Sequence, residues 1–282
     1  MLIDSHQHFW TLNRSDYGWL TSDLTALYRD FSPQDLIKEL EPLPITHSIC
    51  VQAAPTVEET RYLLNLADSQ SNVIGVVGWI DFESDTAIPS LEVLLTNPKF
   101  IGVRPMIQDI EDEEWILSPQ FSSVFNALIE HQLTFDTLVF PRHLKHIIHI
   151  ANTYPNLTIV LNHSAKPNIA QEKFSSWAND ISALAQYPNV FCKISGLVTE
   201  ANPDWTADDL APYIEHVTSS FGYDRILWGS DWPVCLLVSS YEQWYQASQS
   251  ILDLSSYHLH KMLNKNVFRA YPKLTHAINP PY

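Results

Sequence analysis

Two histidines stand two residues apart almost at the start of the chain, His6 and His8 in "IDSHQHFW". Side chains two apart on a strand project to the same face. If Ile3 opens a strand, both imidazoles enter one space, at a spacing that suits a metal ion or a shared substrate group. On a frayed terminus they are a surface pair instead, and H-x-H by itself is a weak motif. A third imidazole, His163, ends the run "IVLNHSAKP", and a carboxylate, Asp231, ends "ILWGSDWP". Taken singly, His163 reads as a loop cap and Asp231 as an N-cap. Taken together, three imidazoles and a carboxylate at equivalent strand ends read as one site.

Bringing them together requires strands whose ends meet. Short β-rich runs recur at 2–6, 47–53, 73–80, 100–106, 134–140, 157–163, 189–195 and 225–231. Many are nearly continuous in Val, Ile, Leu and Phe, as in parallel strands covered by helices. Helical patterns alternate with them. "TVEETRYLLNLADSQ" places Thr56 and Glu59 in capping-box register above a buried stripe of Leu63, Leu64 and Ala67. Ser32 with Pro33, Ser118 with Pro119, and Pro141 mark helix starts. Further helices are expected near 172–186, 207–220, 240–252 and 255–270. The alternation predicts a single α/β domain over residues 1–282, a (β/α)8 TIM barrel.

The connections point the same way. Turns into strands four to seven are terse, "NPK", "HQL" and twice "YPN", whereas strand exits at 9–31, 105–117, 196–206 and 232–239 are long. Length on the strand-to-helix side belongs to a barrel with its site at the C-terminal face. The 9–31 loop, with Trp10, Tyr17, Trp19, Tyr28 and Phe31, is expected over that face as a lid or pocket wall.

Composition narrows the partners. The 282 residues carry 32 acidic and 16 basic side chains, a formal charge of −16, which repels nucleic acid and anionic lipid. Cys50, Cys192 and Cys235 are odd in number and lie in or beside apolar runs, which favours buried free thiols in a reducing compartment. With neither a secretory signal nor an apolar run long enough to span a bilayer, a cytoplasmic protein acting on a small molecule is expected. Homo-oligomerisation is left open.

The segments "IDSHQHFW", "VQAAPTVEETRYLLNLA", "GVVGWID", "GVRPMIQDI", "NHSAKP" and "WGSDWPV" resemble the amidohydrolase superfamily, in particular its sugar-lactonase branch, from Ile3 to about Tyr271. The resemblance implies hydrolysis of an aldonic acid's cyclic ester. Asp231 is then the candidate general base, and His6, His8 and His163 polarise the carbonyl with or without a metal. Strand four ends in Arg104 and lacks the lysine that bridges two metals in many members. Strand five lacks an inward histidine at its end. Both departures argue against a two-metal site and leave one divalent ion, zinc by ligand type, on His6, His8 and Asp231 with His163. Metal-independent catalysis also stays open.

Lys166 and Arg104 are candidates to bind substrate, Arg104 in bidentate fashion. Gln52, Asp81 and Asp136 are candidates for sugar hydroxyls, and Trp79 and Trp232 for an apolar wall. Buried hydrogen bonding explains Gln52, Asp81 and Asp136 equally well, and lone aromatics such as Trp79 and Trp232 more often belong to the core. His143, His146 and His149 are set aside, because Leu144, Ile147, Ile148 and Ala151 define that helix's buried face and leave the histidines on its flanks and outer side. The acidic run 108–115 is expected to be a solvated loop near the entrance. Two alternatives remain: a metal-dependent decarboxylase of the same superfamily, and a catalytically silent barrel that binds a sugar acid.

Overall fold

The computed structural model describes residues 1–252 and 255–275. Eight parallel strands follow in chain order around one sheet: β1 (Ile3–Gln7), β2 (His47–Val51), β3 (Val73–Gly78), β4 (Phe100–Val103), β5 (Thr134–Thr137), β6 (Ile159–Leu161), β7 (Val190–Ile194) and β8 (Ile226–Trp228). The seam between first and last closes through a parallel bridge, Gln7 to Trp232. It is stapled by Asp4, whose carboxylate accepts from the Ser230 amide (2.9 Å), the Ser230 hydroxyl (2.6 Å) and Tyr241 (2.9 Å). The fold is the expected (β/α)8 barrel.

β2 to β8 each end before their apolar runs do, because those runs continue into the loops that turn over the mouth, whereas β1 extends one residue past its run. The main helices are α1 (Pro33–Leu40), α2 (Val57–Asp68), α3 (Ala87–Leu95), α4 (Ser122–Glu130), α5 (Leu144–Thr153), α6 (Ser175–Leu184), α7 (Ala207–Phe221) and α8 (Tyr241–Leu252). Pro119 and Pro141 open 3-10 turns that lead into α4 and α5. Thr56 caps α2 by accepting from the Glu59 amide at 3.1 Å. Glu59 does not return to Thr56 as a capping box would; its carboxylate takes the Ala53 and Ala54 amides and ties α2 to the exit of β2.

On α5, Leu144, Ile147 and Ala151 are buried as expected and Ile148 only half-buried, but His146 and, in the turn before the helix, His143 are buried too, although the sequence places them on the flanks and outer side. His143 earns burial as a cap, its Nδ1 accepting from the Phe140 amide at 3.1 Å. His149 is exposed, and none of the three reaches the barrel mouth cavity.

The N-terminal end of the barrel is apolar. Ile3, Ile49, Ile101, Val160 and Leu227 fill it, and the chain returns after α8 to seal it with Val267, Ala270, Tyr271 and Leu274. The expected helix over 255–270 is a composite: α9 (Ser256–His260), a π-helical turn (Lys261–Lys265) and α10 (Asn266–Ala270). At the other end, the 9–31 loop is pinned by an antiparallel bridge between Trp10 and Phe31. Trp10, Tyr17 and Phe31 are buried in it, while Tyr28 is exposed. No helix among the described residues is long and apolar enough to cross a membrane.

Candidate active site

β1 delivers its two histidines through an irregularity. Its register against β2 shifts between Asp4 and Gln7, and one extra residue reverses which face the following side chains take. Ile3 therefore joins the apolar floor while His6, three residues on, reaches the polar mouth. Gly229 is a condition of this approach, since a Cβ there would lie 2.6 Å from that of His6.

His163 and Asp231 arrive on strained backbone. His163, Ser164, Ala165 and Lys166 all have φ between 51° and 61°, and Asp231 has φ of 56°. Left-handed conformation costs a non-glycine residue roughly 1–2 kcal/mol. Surrounding bonds hold it: the Lys166 amide donates to His163 O (2.8 Å), Trp177 Nε1 to Ser164 O (2.7 Å), and the Asp231 amide to His6 O (2.8 Å). Beside them Gly196, at φ 61°, leaves the space His163 needs; a Cβ would meet its Nδ1 at 2.5 Å.

Three imidazoles converge on one carboxylate oxygen. From Asp231 Oδ1, the Nε2 atoms of His8, His6 and His163 lie at 3.2, 3.6 and 3.8 Å. Burial pushes all three imidazoles down, His163 to about 3, His6 well below its ordinary value, and His8 to a lesser extent. Repulsion from Lys193 and Arg104, and from His163 and His8 whenever they carry a proton, adds to the effect on His6. Burial alone would raise the Asp231 carboxyl, but His163, His8 and Lys166 outweigh it and hold it below the usual carboxylate value. The site at neutral pH is an ionised carboxylate among neutral imidazoles.

Such a donor set fits a divalent cation. His6, His163 and Asp231 offer ligand atoms that all lie within 4.8 Å of one another, and His8 adds a nitrogen near the same oxygen. The Nδ1 of His8 faces Val51 O at 2.7 Å, and that of His163 faces Ser195 Oγ at 3.0 Å. Acceptors there leave the Nε2 lone pairs free, as metal-binding histidines require.

Above this cluster opens a cavity of about 230 Å³, lined by His8, His163, Asp231, Arg104 and Lys166, with Trp19, Met106, Leu138 and Val234 as apolar wall and Gln108 and Asp109 at the β4 loop. This is below the roughly 300–1,000 Å³ of pockets for drug-sized ligands, a size for a small molecule. Trp19 is fixed by donating to Ala53 O at 2.7 Å, so the first loop forms a wall of the pocket. Lys166 Nζ stands 3.9 Å from Glu200. Arg104 is held by Gln52 O and by Asn162 Oδ1 at 3.3 Å.

The remaining sequence candidates lie behind or beside the wall. Gln52 is fully buried and braces Arg104, its Nε2 donating to Arg104 O at 2.7 Å. Asp136 is fully buried below the mouth, 2.7 Å from Lys193 Nζ. Trp232 is also fully buried, packed edge-on against Phe9 and Phe31. Asp81 and Trp79 line a neighbouring depression. Sequence reasoning missed Lys193, Asn162, Ser195 and Gly196. Only Lys193 left a signal there, a single cation inside the apolar run "NVFCKIS".

A family profile described as Amidohydrolase matches residues 3–273. The chain is 45% identical over 239 residues to an L-fucono-1,5-lactonase of Burkholderia ambifaria, covering 85% of this chain and 82% of that one. It is 34% identical to an L-fucono-1,5-lactonase of Burkholderia multivorans, covering 86% and 85%. Among solved structures it is similar to an amidohydrolase of Burkholderia multivorans crystallised with bound zinc, with a TM-score of 0.90, 31% identity, and coverage of 96% of this chain and 99% of that one.

Proposed function

The chain belongs to the amidohydrolase family, and from that premise we propose that it hydrolyses a sugar lactone, of the L-fucono-1,5-lactone type, to the aldonic acid. The observation that carries the reading is the convergence of three neutral imidazoles on the ionised Asp231 at the floor of a small cavity. The lactonase names of relatives at 45% and 34% identity support the substrate class. Met106, Leu138 and Val234 offer the apolar wall that the methyl group of a deoxy sugar needs. A 2,6-dihydroxybenzoate decarboxylase among the structural neighbours is 14% identical and shares the fold alone.

Asp231 takes a proton from water, and the hydroxide equivalent adds to the lactone carbonyl carbon. The Arg104 guanidinium and the Lys166 ammonium face the oxyanion that develops, where preorganised charge stabilises best. Collapse breaks the bond to the ring oxygen, and Asp231 returns its proton to the departing alkoxide, so that one water is consumed and one hydroxyl and one carboxyl are formed. General base assistance of this kind contributes about 10²–10⁴-fold. A divalent ion, zinc by analogy with the 31%-identical relative, would be held by Asp231 with His6, His8 and His163 and would supply Lewis-acid polarisation of the carbonyl. Three buried free thiols, Cys50, Cys192 and Cys235, fit a reducing, cytoplasmic setting.

The test is hydrolysis by purified protein over a panel of fucono-, rhamnono-, galactono- and xylonolactones, followed with a pH indicator, with and without chelator. Fast turnover of the fucono-configured members is expected. A folded protein that opens none of them with zinc added overturns the reading.

A further inference from the structure

A buried carboxyl costs free energy unless its oxygens are matched to donors. Glu59, in the first turn of α2, is fully buried, and both of its oxygens are spent on main-chain amides. Oε1 accepts from the Ala53 amide at 2.8 Å, and Oε2 accepts from the Ala54 amide at 2.9 Å and the Ala53 amide at 3.1 Å. Burial pushes the carboxyl up to about 8, and with or without its proton an oxygen remains that accepts.

The far ends of the same two peptide groups hold the cavity. The group that carries the Ala53 N–H ends in Gln52 O, which accepts from the Arg104 guanidinium. The group that carries the Ala54 N–H ends in Ala53 O, which accepts from Trp19 Nε1 at 2.7 Å. Arg104 and Trp19 both line the cavity. One side chain thus orients two successive peptide planes. Turning either plane over would take its N–H off Glu59 and its carbonyl off the cavity residue in one motion. An acceptor on the N–H also polarises the carbonyl, so the two bonds of each plane strengthen one another. The supports are unequal. Arg104 is held as well by Asn162 Oδ1 at 3.3 Å and Gln52 Oε1 at 3.4 Å. Trp19 has a single N–H to give, and Ala53 O takes it; beyond that it meets Trp10 edge-on at 5.3 Å.

We propose that Glu59 is a positioning residue of the active site, fixing the Gln52–Ala53 and Ala53–Ala54 peptide groups so that their carbonyls hold Arg104 and Trp19 at the cavity. Trp19, with fewer other supports, depends on it more. The inference deepens the lactonase reading and rests on it wherever turnover is measured. It is independent of which lactone is opened.

KM and kcat are compared for the full-length wild type, Glu59→Leu, Glu59→Gln, Trp19→Phe and the Glu59→Leu/Trp19→Phe double variant, on the lactone the wild type opens fastest. Leucine keeps the volume and removes both acceptors. Glu59→Leu is expected to raise KM about tenfold, the upper worth of one hydrogen bond, with a smaller loss of kcat through Arg104; a wall contact made equally in ground and transition states shows in KM. Glutamine keeps one oxygen within reach of both amides, so Glu59→Gln should hold KM within about threefold of the wild type. Trp19→Phe lacks the indole donor, and in that background Glu59→Leu should change KM by less than about twofold, since groups acting through one chain of bonds are not additive. Equal effects in both backgrounds, or a Glu59→Gln no better than Glu59→Leu, overturn the proposal. Two readouts need no turnover. In Glu59→Leu the Trp19 indole N–H signal should move upfield, while that of Trp177, bonded to Ser164 O, stays. Coupling is reciprocal, so Trp19→Phe, which keeps Glu59, should speed hydrogen exchange of the Ala54 amide relative to the amides of α6. An unmoved Trp19 signal, or unaltered Ala54 exchange, overturns the proposal. Both stand whether or not the protein opens lactones, so failure here is distinct from failure of the lactonase reading.

Discussion

At the N-terminal end of the barrel, Ile3, Ile49, Ile101 and Leu227 meet Tyr271 and Leu274 in a seal that excludes solvent. At the C-terminal end the same strands present His6, His8, His163 and Asp231 beneath an open cavity, on backbone that includes five non-glycine residues in the left-handed region. The sealed end gains free energy from apolar burial, at about 25 cal/mol per Å². The open end gives some back in left-handed conformation and crowded nitrogens around one carboxylate. Stability and chemistry are thus separated along the barrel axis by about the length of a strand, with the Asp136–Lys193 pair between them. Substitutions at the two ends should accordingly fail in different ways.

The largest effect belongs to the mouth. Asp231→Asn keeps a residue that tolerates positive φ and removes the proposed base, so kcat should fall about 10³-fold while the thermal midpoint stays near that of the wild type. A rate within tenfold of wild type would mean that another group moves the proton. The reverse pattern is expected at the seal. Leu274→Ala should cost about 2–5 kcal/mol of stability, seen in denaturant unfolding, with kcat per folded molecule unchanged. A loss of rate in folded Leu274→Ala would show that the two ends are coupled.

Gly196→Ala sharpens the comparison, because it removes no polar group from the mouth and only crowds His163 and Asp231. Its Cβ would press on His163 Nδ1, and displacement of about 1 Å can cost up to about 10²-fold; steady-state kinetics should show this chiefly in kcat. The smallest expected effect is that of pH. With the Asp231 carboxyl below its usual value and His163 down at about 3, the base form of each is complete above pH 5. kcat/KM should then vary by less than about twofold between pH 5 and 8, and an inflection near 6.5, the ordinary imidazole value, would assign a titrating role to a mouth histidine.

The eight strands and the polarity of the barrel were legible because apolar runs, prolines and loop lengths are local properties. His6, His8, His163 and Asp231 were legible for a related reason: a polar residue at the end of an apolar strand has the mouth as its destination. Facing was not legible. Trp232 follows Asp231 directly and so takes the opposite side, into the core against Phe31. The register shift in β1 that sends both Ile3 and His6 inward leaves no mark in composition. Lys193 was visible only as a charge out of place; its meaning lies in Asp136, His6 and Tyr271, between 57 and 187 residues away along the chain. Burial of His143 likewise depends on a cap bond to Phe140 that spacing alone does not reveal.

The most direct measurement is lactone opening in H₂¹⁸O, with the product examined by ¹³C NMR and mass spectrometry. Attack of water on the carbonyl, with Asp231 as base, places one ¹⁸O in the carboxylate of the aldonic acid and none in the newly freed hydroxyl. Label in that hydroxyl, or release of carbon dioxide in place of an acid, would contradict it.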